Sequence, residues 1–419
     1  MSPFASSPFR KPGRALAVLL ALAGLLPFAA GAAPTAADRE IAAAVRRAER
    51  APSPDALVAL TAAFMRKARE TGDPSYYDRA AAALDRALAA DANHYGALRA
   101  RAWVLLGKHD FRGALRAARA ARRLTPHDWW NYGNLADACS ELGHYRGAAH
   151  ATARMMALRP GLPAYTRVAA VRALSGDRHG AIEALELALD AADPSDPEGR
   201  AWILTHLGHE HWALGEVPSA VRQYEAALAT FPDYHLALPG LARARAAQGR
   251  PDDAIALYER ALAVAPMPAT AGALGDLYAS TGNPERARAS YDFAVYMGRV
   301  ASVRGGTAGR DLALFLADHD RDLDDAVRLA RADAAVRDDV YTHDALAWTL
   351  FKRGELAAAK RAMTRALRLG TEEASFHHHA DAIATGLGKP RPAARHRRLA
   401  RTLEPVDGSA RTAHTREHT

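Results

Sequence analysis

The sequence predicts an all-α solenoid of about ten helix-turn-helix units, and three observations carry that prediction. An alanine recurs at Ala80, Ala114, Ala148, Ala181, Ala220, Ala254, Ala287, Ala326, Ala359 and Ala393, at intervals of 34, 34, 33, 39, 34, 33, 39, 33 and 34 residues. A glycine stands five residues ahead of it in Leu142-Gly143-His144-Tyr145, Leu214-Gly215-Glu216-Val217, Gln248-Gly249-Arg250-Pro251 and Arg353-Gly354-Glu355-Leu356. A proline closes most units, at Pro126, Pro160, Pro232, Pro266 and Pro405. A fixed period of this length is the mark of a repeat architecture. A chain of 419 residues, 49% apolar and 24% charged, is folded and larger than one compact core supports.

Each unit reads as a helix, a turn at the glycine, and a second helix ended by the proline. The glycine takes the backbone conformation that stops the first helix, and the proline cannot continue the second. The anchor alanine and a small residue seven positions on share one helical stripe. Two backbones can therefore approach closely, while Leu207, Tyr224 and Leu274 fill the space between. Helices of about 14 residues are marginal alone and gain stability by stacking on the next unit.

The pattern resembles the tetratricopeptide repeat. Its most complete copy is Leu204, Leu207, Gly208, His211, Gly215, Ala220, Tyr224, Ala227 and Pro232. A second is Tyr132, Leu135, Ala136, Cys139, Gly143, Ala148, Thr152, Met155 and Pro160. A third includes Ala254, Tyr258, Ala261 and Pro266, and a fourth Leu274, Gly275, Tyr278, Gly282, Ala287, Tyr291 and Ala294. The resemblance covers about residues 55 to 405 and implies a right-handed superhelix. The first unit carries about three extra residues between Gly72 and Tyr77, and the unit around Ala326 lacks a turn glycine. The two intervals of 39 imply insertions near Asp193 to Gly199 and Ser302 to Gly306.

The resulting organisation is a signal peptide over 1–33, a lead-in helix over 34–54, repeats 1 to 7 over 55–300, a hinge at 301–306, repeats 8 to 10 over 307–405 and a disordered tail over 406–419. Arg10, Lys11 and Arg14 precede the apolar run Ala15 to Ala30, which the small residues Gly31, Ala32 and Ala33 follow. That order is that of a secretory signal. Cleavage is expected near Ala32 or Ala33, giving a periplasmic or secreted protein without an integral membrane span. Gly305 and Gly306 are the expected hinge between two subarrays.

The net charge of +8 divides into +3 over residues 1–33, +5 over 389–419 and zero between. A nucleic-acid binder needs a face that neutralises several phosphates, which a balanced body does not suggest. The single cysteine, Cys139, excludes an internal disulfide or multi-cysteine cluster and reads as a small core residue. No phosphate loop, nucleophile elbow or paired acid places a catalytic centre, so the chain reads as no enzyme, with no cofactor implied.

His206, His209 and Glu210 fall at i, i+3 and i+4 with His211 beside them, a spacing that can present metal ligands and supports a metal-handling alternative. His377, His378 and His379 open the last unit, and His414 and His418 lie in the tail; consecutive histidines point in different directions, which suits a capping surface. Arg395, Arg397, Arg398 and Arg401 should face solvent from the last helix, as a cap or as a peripheral contact to anionic headgroups or an acidic partner.

The resemblance also implies which first-helix residues face the concave side. Carried over, those positions hold Trp103, Trp130, Trp202, His209, Trp212, Tyr341, Asp344, Trp348 and Phe351. These rings either fill gaps where a tight superhelix meets itself or line a groove for an extended peptide or a sugar chain. The expectation is a scaffold or adaptor holding a partner protein in that groove.

Overall fold

The computed structural model describes residues 34–303 and 308–403, and among these it contains 21 α-helices, one short 3-10 turn and no strand. The signal segment, Gly305 and Gly306, Pro405, His414, His418 and the tail lie outside the described residues.

Helix α1 (Ala36–Arg50) starts at a capping box in which Thr35 accepts from the Asp38 N–H and Asp38 accepts from the Thr35 N–H. Ten hairpins follow. Repeats 1 to 3 are α2 (Pro54–Thr71) with α3 (Ser75–Ala90), α4 (Tyr95–Gly107) with α5 (Phe111–Leu124), and α6 (Trp129–Glu141) with α7 (Tyr145–Leu158). Repeats 4 to 6 are α8 (Leu162–Leu174) with α9 (Arg178–Asp190), α10 (Pro197–Ala213) with α11 (Val217–Thr230), and α12 (Ala237–Ala247) with α13 (Pro251–Val264). Repeats 7 and 8 are α14 (Pro268–Ser280) with α15 (Pro284–Val303), and α16 (Ala308–Asp318) with α17 (Leu323–Val336). Repeats 9 and 10 are α18 (Val340–Lys352) with α19 (Leu356–Ala366), and α20 (Ala374–Gly386) with α21 (Pro390–Leu403).

All ten anchor alanines are buried, none more than 4% exposed, so each hairpin closes on a side chain small enough to let its helices touch. Tyr224 shows what fills the larger gaps. It is fully buried, and its ring lies where a methyl group on Gly208 would come within 2.5 Å and one on Gly240 within 2.6 Å. Glycine at both places therefore makes room for one tyrosine shared by repeats 5 and 6. Cys139 is buried, and burial pushes its thiol up.

The turn glycines Gly143, Gly215, Gly249, Gly282 and Gly354 all have φ between 66° and 88°. Repeat 8 lacks the glycine, and there Asp320 (φ 50°) and Asp322 (φ 40°) adopt the left-handed conformation instead. Asp322 also caps α17 by accepting from the Asp325 N–H.

The two long intervals are absorbed chiefly by helix rather than by loop. Helix α10 has 17 residues where α4, α6 and α8 have 13, and α15 has 20 where α5, α7 and α11 have 14. This moves one expected boundary: 301–303 belong to α15, because nothing in Arg299 to Val303 breaks a helix. The lead-in helix likewise ends at Arg50, and Pro54 already opens repeat 1.

First helices of most neighbouring repeats touch each other directly, which puts them on the inner side of the superhelix. The array winds tightly enough for successive turns to meet. The C-terminal part of α2 binds the start of repeat 5 through Arg66–Asp196 at 2.6 Å and Arg69–Glu198 at 3.0 Å. Repeat 3 binds the junction of repeats 8 and 9: Arg337 contacts Glu141 at 3.2 Å, and the Val340 N–H donates to the Tyr145 hydroxyl at 2.8 Å. Repeat 4 binds the segment before repeat 10, where the Thr371 hydroxyl donates to the Leu174 carbonyl at 2.6 Å. The backbones are so close here that a methyl group on Gly176 would lie 2.7 Å from the Gly370 carbonyl oxygen.

Candidate functional site

The inner face carries three aromatic clusters, each built by the first helices of its repeats. In repeats 2 and 3, Trp130 stands 5.7 Å from Trp103, edge to face, and 5.3 Å from Trp129. The Arg99 guanidinium lies 5.1 Å above Trp130 and binds Asp128, the residue that caps α6, at 2.9 Å. One cation thus ties the ring to the helix start beside it.

In repeat 5, the rings of Trp202, His206 and His209 follow one another along α10 at 4.0 and 5.4 Å, and His209 lies 5.6 Å from Tyr224. Burial lowers the His206 pKa to about 4. It lowers His209 well below the ordinary histidine value, with His206 and Arg243 adding to the effect. Both rings are therefore neutral near pH 7. Arg243 covers Trp212 at 4.4 Å.

In repeat 9, the Trp348 indole donates to Asp318 at 2.7 Å, stacks on His379 at 4.3 Å and lies 5.2 Å from Phe351. Asp344 is buried and bound to His379 at 2.9 Å. Burial works against a charged His379, but Asp344 and then Asp318 outweigh it and raise its pKa. The Asp344 carboxylate is thus committed inside the protein. Tyr341 packs on Phe376 at 5.4 Å.

Between repeats 4 to 7 and repeats 9 and 10 lies a cavity of about 720 Å³. His206, His209 and Trp212 line one side, Arg243, Tyr258 and Asp276 continue it, and Tyr341 with Glu372 to Ser375 faces them. Of the nine inner-face residues expected from sequence, His209, Trp212 and Tyr341 meet here. Trp103 and Trp130 form their own cluster in repeats 2 and 3, while Trp202, Trp348 and Phe351 are half-buried in contact with neighbouring rings.

Arg178 closes the cavity's edge and has no counterpart among the expected residues. It is 5% exposed, binds Glu210 at 2.8 Å and Glu373 at 2.9 Å, and donates to the Glu372 carbonyl oxygen at 2.6 Å. Burial alone would lower its pKa; Glu210 and Glu373 outweigh burial and raise it, so it stays charged. Glu373 is 195 residues from Arg178, and no local spacing marks the pair.

The histidine clusters disperse. Glu210 lines the same cavity as His206 and His209 but is engaged by Arg178, and His211 binds Glu216 at 2.7 Å. His377 meets His396 at 3.1 Å while His379 meets Asp344, so the consecutive histidines do point apart. Among the described residues no three His, Cys, Asp or Glu side chains gather as metal ligands would. On the last helix Arg395, Arg397, Arg398 and Arg401 are exposed, with Arg397 paired to Asp381 at 2.9 Å. No helix among the described residues is long and apolar enough to cross a membrane.

Residues 206–272 match the family model of the tetratricopeptide repeat. No curated protein matches the sequence. Among solved structures, the human IFIT1 dimer with PPP-AAAA is 15% identical over 88% of this chain and 90% of that one, with a TM-score of 0.49. The Cut9–Hcn1 hetero-tetramer of the APC/C is 13% identical over 88% and 91%, at 0.34. PilW, a type IV pilus biogenesis factor, is 16% identical over 48% and 90%, at 0.42. These likenesses carry no partner or activity over to this chain.

Proposed function

We propose that this chain, whose residues 206–272 match the tetratricopeptide-repeat model, is a non-catalytic scaffold or adaptor of the cell envelope that holds a segment of a partner protein against its inner face. The observation that supports this reading is the cavity of about 720 Å³, where Trp212, Tyr341 and His209 converge with Arg243. Tryptophan, tyrosine and arginine are the residues that dominate protein interfaces. A volume of this size takes a few residues, as small binding sites do. Since successive turns of the superhelix touch, the bound element is a short loop or a chain end rather than a long extended strand. The N-terminal export pattern supports a location outside the cytoplasm. The metal-handling alternative gains no support from the geometry, because Glu210 is taken by Arg178.

The test is affinity capture of the tagged full chain from its native envelope fraction, beside Trp212→Ala and Tyr341→Ala. A defined partner retained by the wild type and lost from both variants at unchanged helicity is expected. Capture that persists in both variants overturns the inner-face assignment.

A further inference from the structure

Between residues 111 and 160 the sequence holds eight arginines, no lysine and three acids. All three acids are spent elsewhere: Asp128 on Arg99, Asp137 on Arg167 and Glu141 on Arg337. The eight arginines are exposed, and none forms an ion pair among the described residues. Arg112, Arg116, Arg119 and Arg123 fall at i, i+4, i+7 and i+11 of α5, one straight stripe. That stripe lies opposite the buried Phe111, Ala114, Leu115, Ala118 and Ala121 and runs about 16 Å at 1.5 Å per residue. Arg146 and Arg154 extend the charge onto α7 next to it. The zero net charge of the body therefore conceals a basic outer face.

We propose that the outer face of repeats 2 and 3 docks on an anionic phospholipid surface. The patch is local and not a habit of every second helix. One repeat beyond α7, the positions equivalent to Arg116, Arg119 and Arg123 hold Glu183, Glu186 and Asp190 of α9, all exposed. The lipid choice rests on Leu124, which is 59% exposed directly after Arg122 and Arg123. A phosphate backbone or an acidic segment in water would satisfy the guanidinium groups and leave that leucine in solvent. A bilayer takes both, with cations at the headgroups and the apolar side chain just beneath. The face is also convex, formed by second helices on the outside of the superhelix, and so can rest against a flat surface without any change in the array. This surface is separate from the inner cavity, and the proposal does not depend on the partner reading.

The experiment is flotation of the purified full chain with phosphatidylcholine vesicles, with and without phosphatidylglycerol. Binding is expected only with phosphatidylglycerol, and it should weaken as salt rises from about 0.1 M to about 0.5 M. The triple variant Arg116→Gln, Arg119→Gln, Arg123→Gln should bind about a hundredfold more weakly, since the separate contributions of the three arginines near an anionic surface multiply. Leu124→Ser should lose a smaller, severalfold part. Arg395→Gln, Arg398→Gln, Arg401→Gln should leave binding within about twofold, which separates this face from the basic C-terminal helix. Circular dichroism confirms folding of each variant. Absent binding, or binding unchanged in the α5 triple variant, overturns the proposal. So does self-association in sedimentation, or heparin binding without vesicle binding, that the same variant abolishes; the first assigns the face to the acidic stripe of a second copy and the second to a soluble polyanion.

Discussion

Arginine on the inner seam and arginine on the outer face behave oppositely in this molecule, although both stand on the same hairpin template. Arg178 and Arg337 are almost wholly buried, and each meets at least two carboxylates: Glu210 and Glu373 for one, Glu141 and Asp333 for the other. Arg112, Arg116, Arg119 and Arg123 are exposed and meet none among the described residues. A guanidinium taken out of water must be paired, whereas one left in water gains little from pairing. The seam arginines thus belong to the architecture that holds one turn of the superhelix on the next. The outer arginines make no ion pair among the described residues, which leaves them available for the docking proposed above.

The strongest way to break this contrast is to remove one cation from each side. Arg178→Ala leaves two buried or half-buried carboxylates facing each other across the seam, and should cost about 3–5 kcal/mol in chemical denaturation. Arg119→Ala, which removes an exposed and unpaired cation, should lose no stability. Equal losses would mean that the seam is no more costly to disrupt than the surface.

The next test uses protons. His206 titrates at about 4 in the folded chain, below the histidine value of 6.5, because burial disfavours its charged form. His109 does the same at the seam, where burial acts first and Arg337 second, also bringing it to about 4. For a depressed histidine the unfolded chain binds the extra proton, so stability is fully present above about pH 6.5 and is lost as pH falls towards 4. A loss of about 2–3 kcal/mol per such histidine is expected over that window, and His206→Phe should flatten the profile by its share. A wild-type profile unchanged by this substitution would mean that His206 is solvated.

A third change probes packing inside one repeat pair. Gly208→Ala puts a methyl group 2.5 Å from the Tyr224 ring, closer than a carbon contact allows. Thermal unfolding should report a loss of about 1–3 kcal/mol, partly restored by combining it with Tyr224→Leu. Additive losses in the double variant would show that the ring and the glycine do not share the space.

Much of this was legible in the sequence, and the parts that were not have a common cause. The ten anchor alanines were readable because each hairpin is closed by contacts within about 34 residues, and repetition makes a local rule visible. The insertions were located from the two long intervals, and 301–306 was expected to be a hinge; α10 and α15 show that residues without a helix breaker extend the helices. His209, Trp212 and Tyr341 were placed on the inner face by register, yet their meeting at one cavity depends on how tightly the superhelix winds. That winding is fixed by pairs such as Arg178–Glu373, about 195 residues apart, which no period announces. The outer stripe failed for a different reason. Its spacing was on the page, but summing charge over the whole body cancelled it against acids that point elsewhere.

That stripe supports the smallest and most discriminating prediction. Arg119 has like charges three residues away on either side, at Arg116 and Arg122, and four residues on at Arg123. Such neighbours on a helix repel by about 0.2–0.5 kcal/mol per pair, and the cost is screened by salt. Glutamine has nearly the helix propensity of arginine. Arg119→Gln removes all three pairs and should therefore raise stability by about 0.6–1.5 kcal/mol at low salt, with the gain vanishing as salt rises. A residue whose removal stabilises the fold is held in place by something other than the fold. If Arg119→Gln instead destabilises at low salt, the guanidinium has a partner within the chain, and the inner and outer arginines differ in degree only.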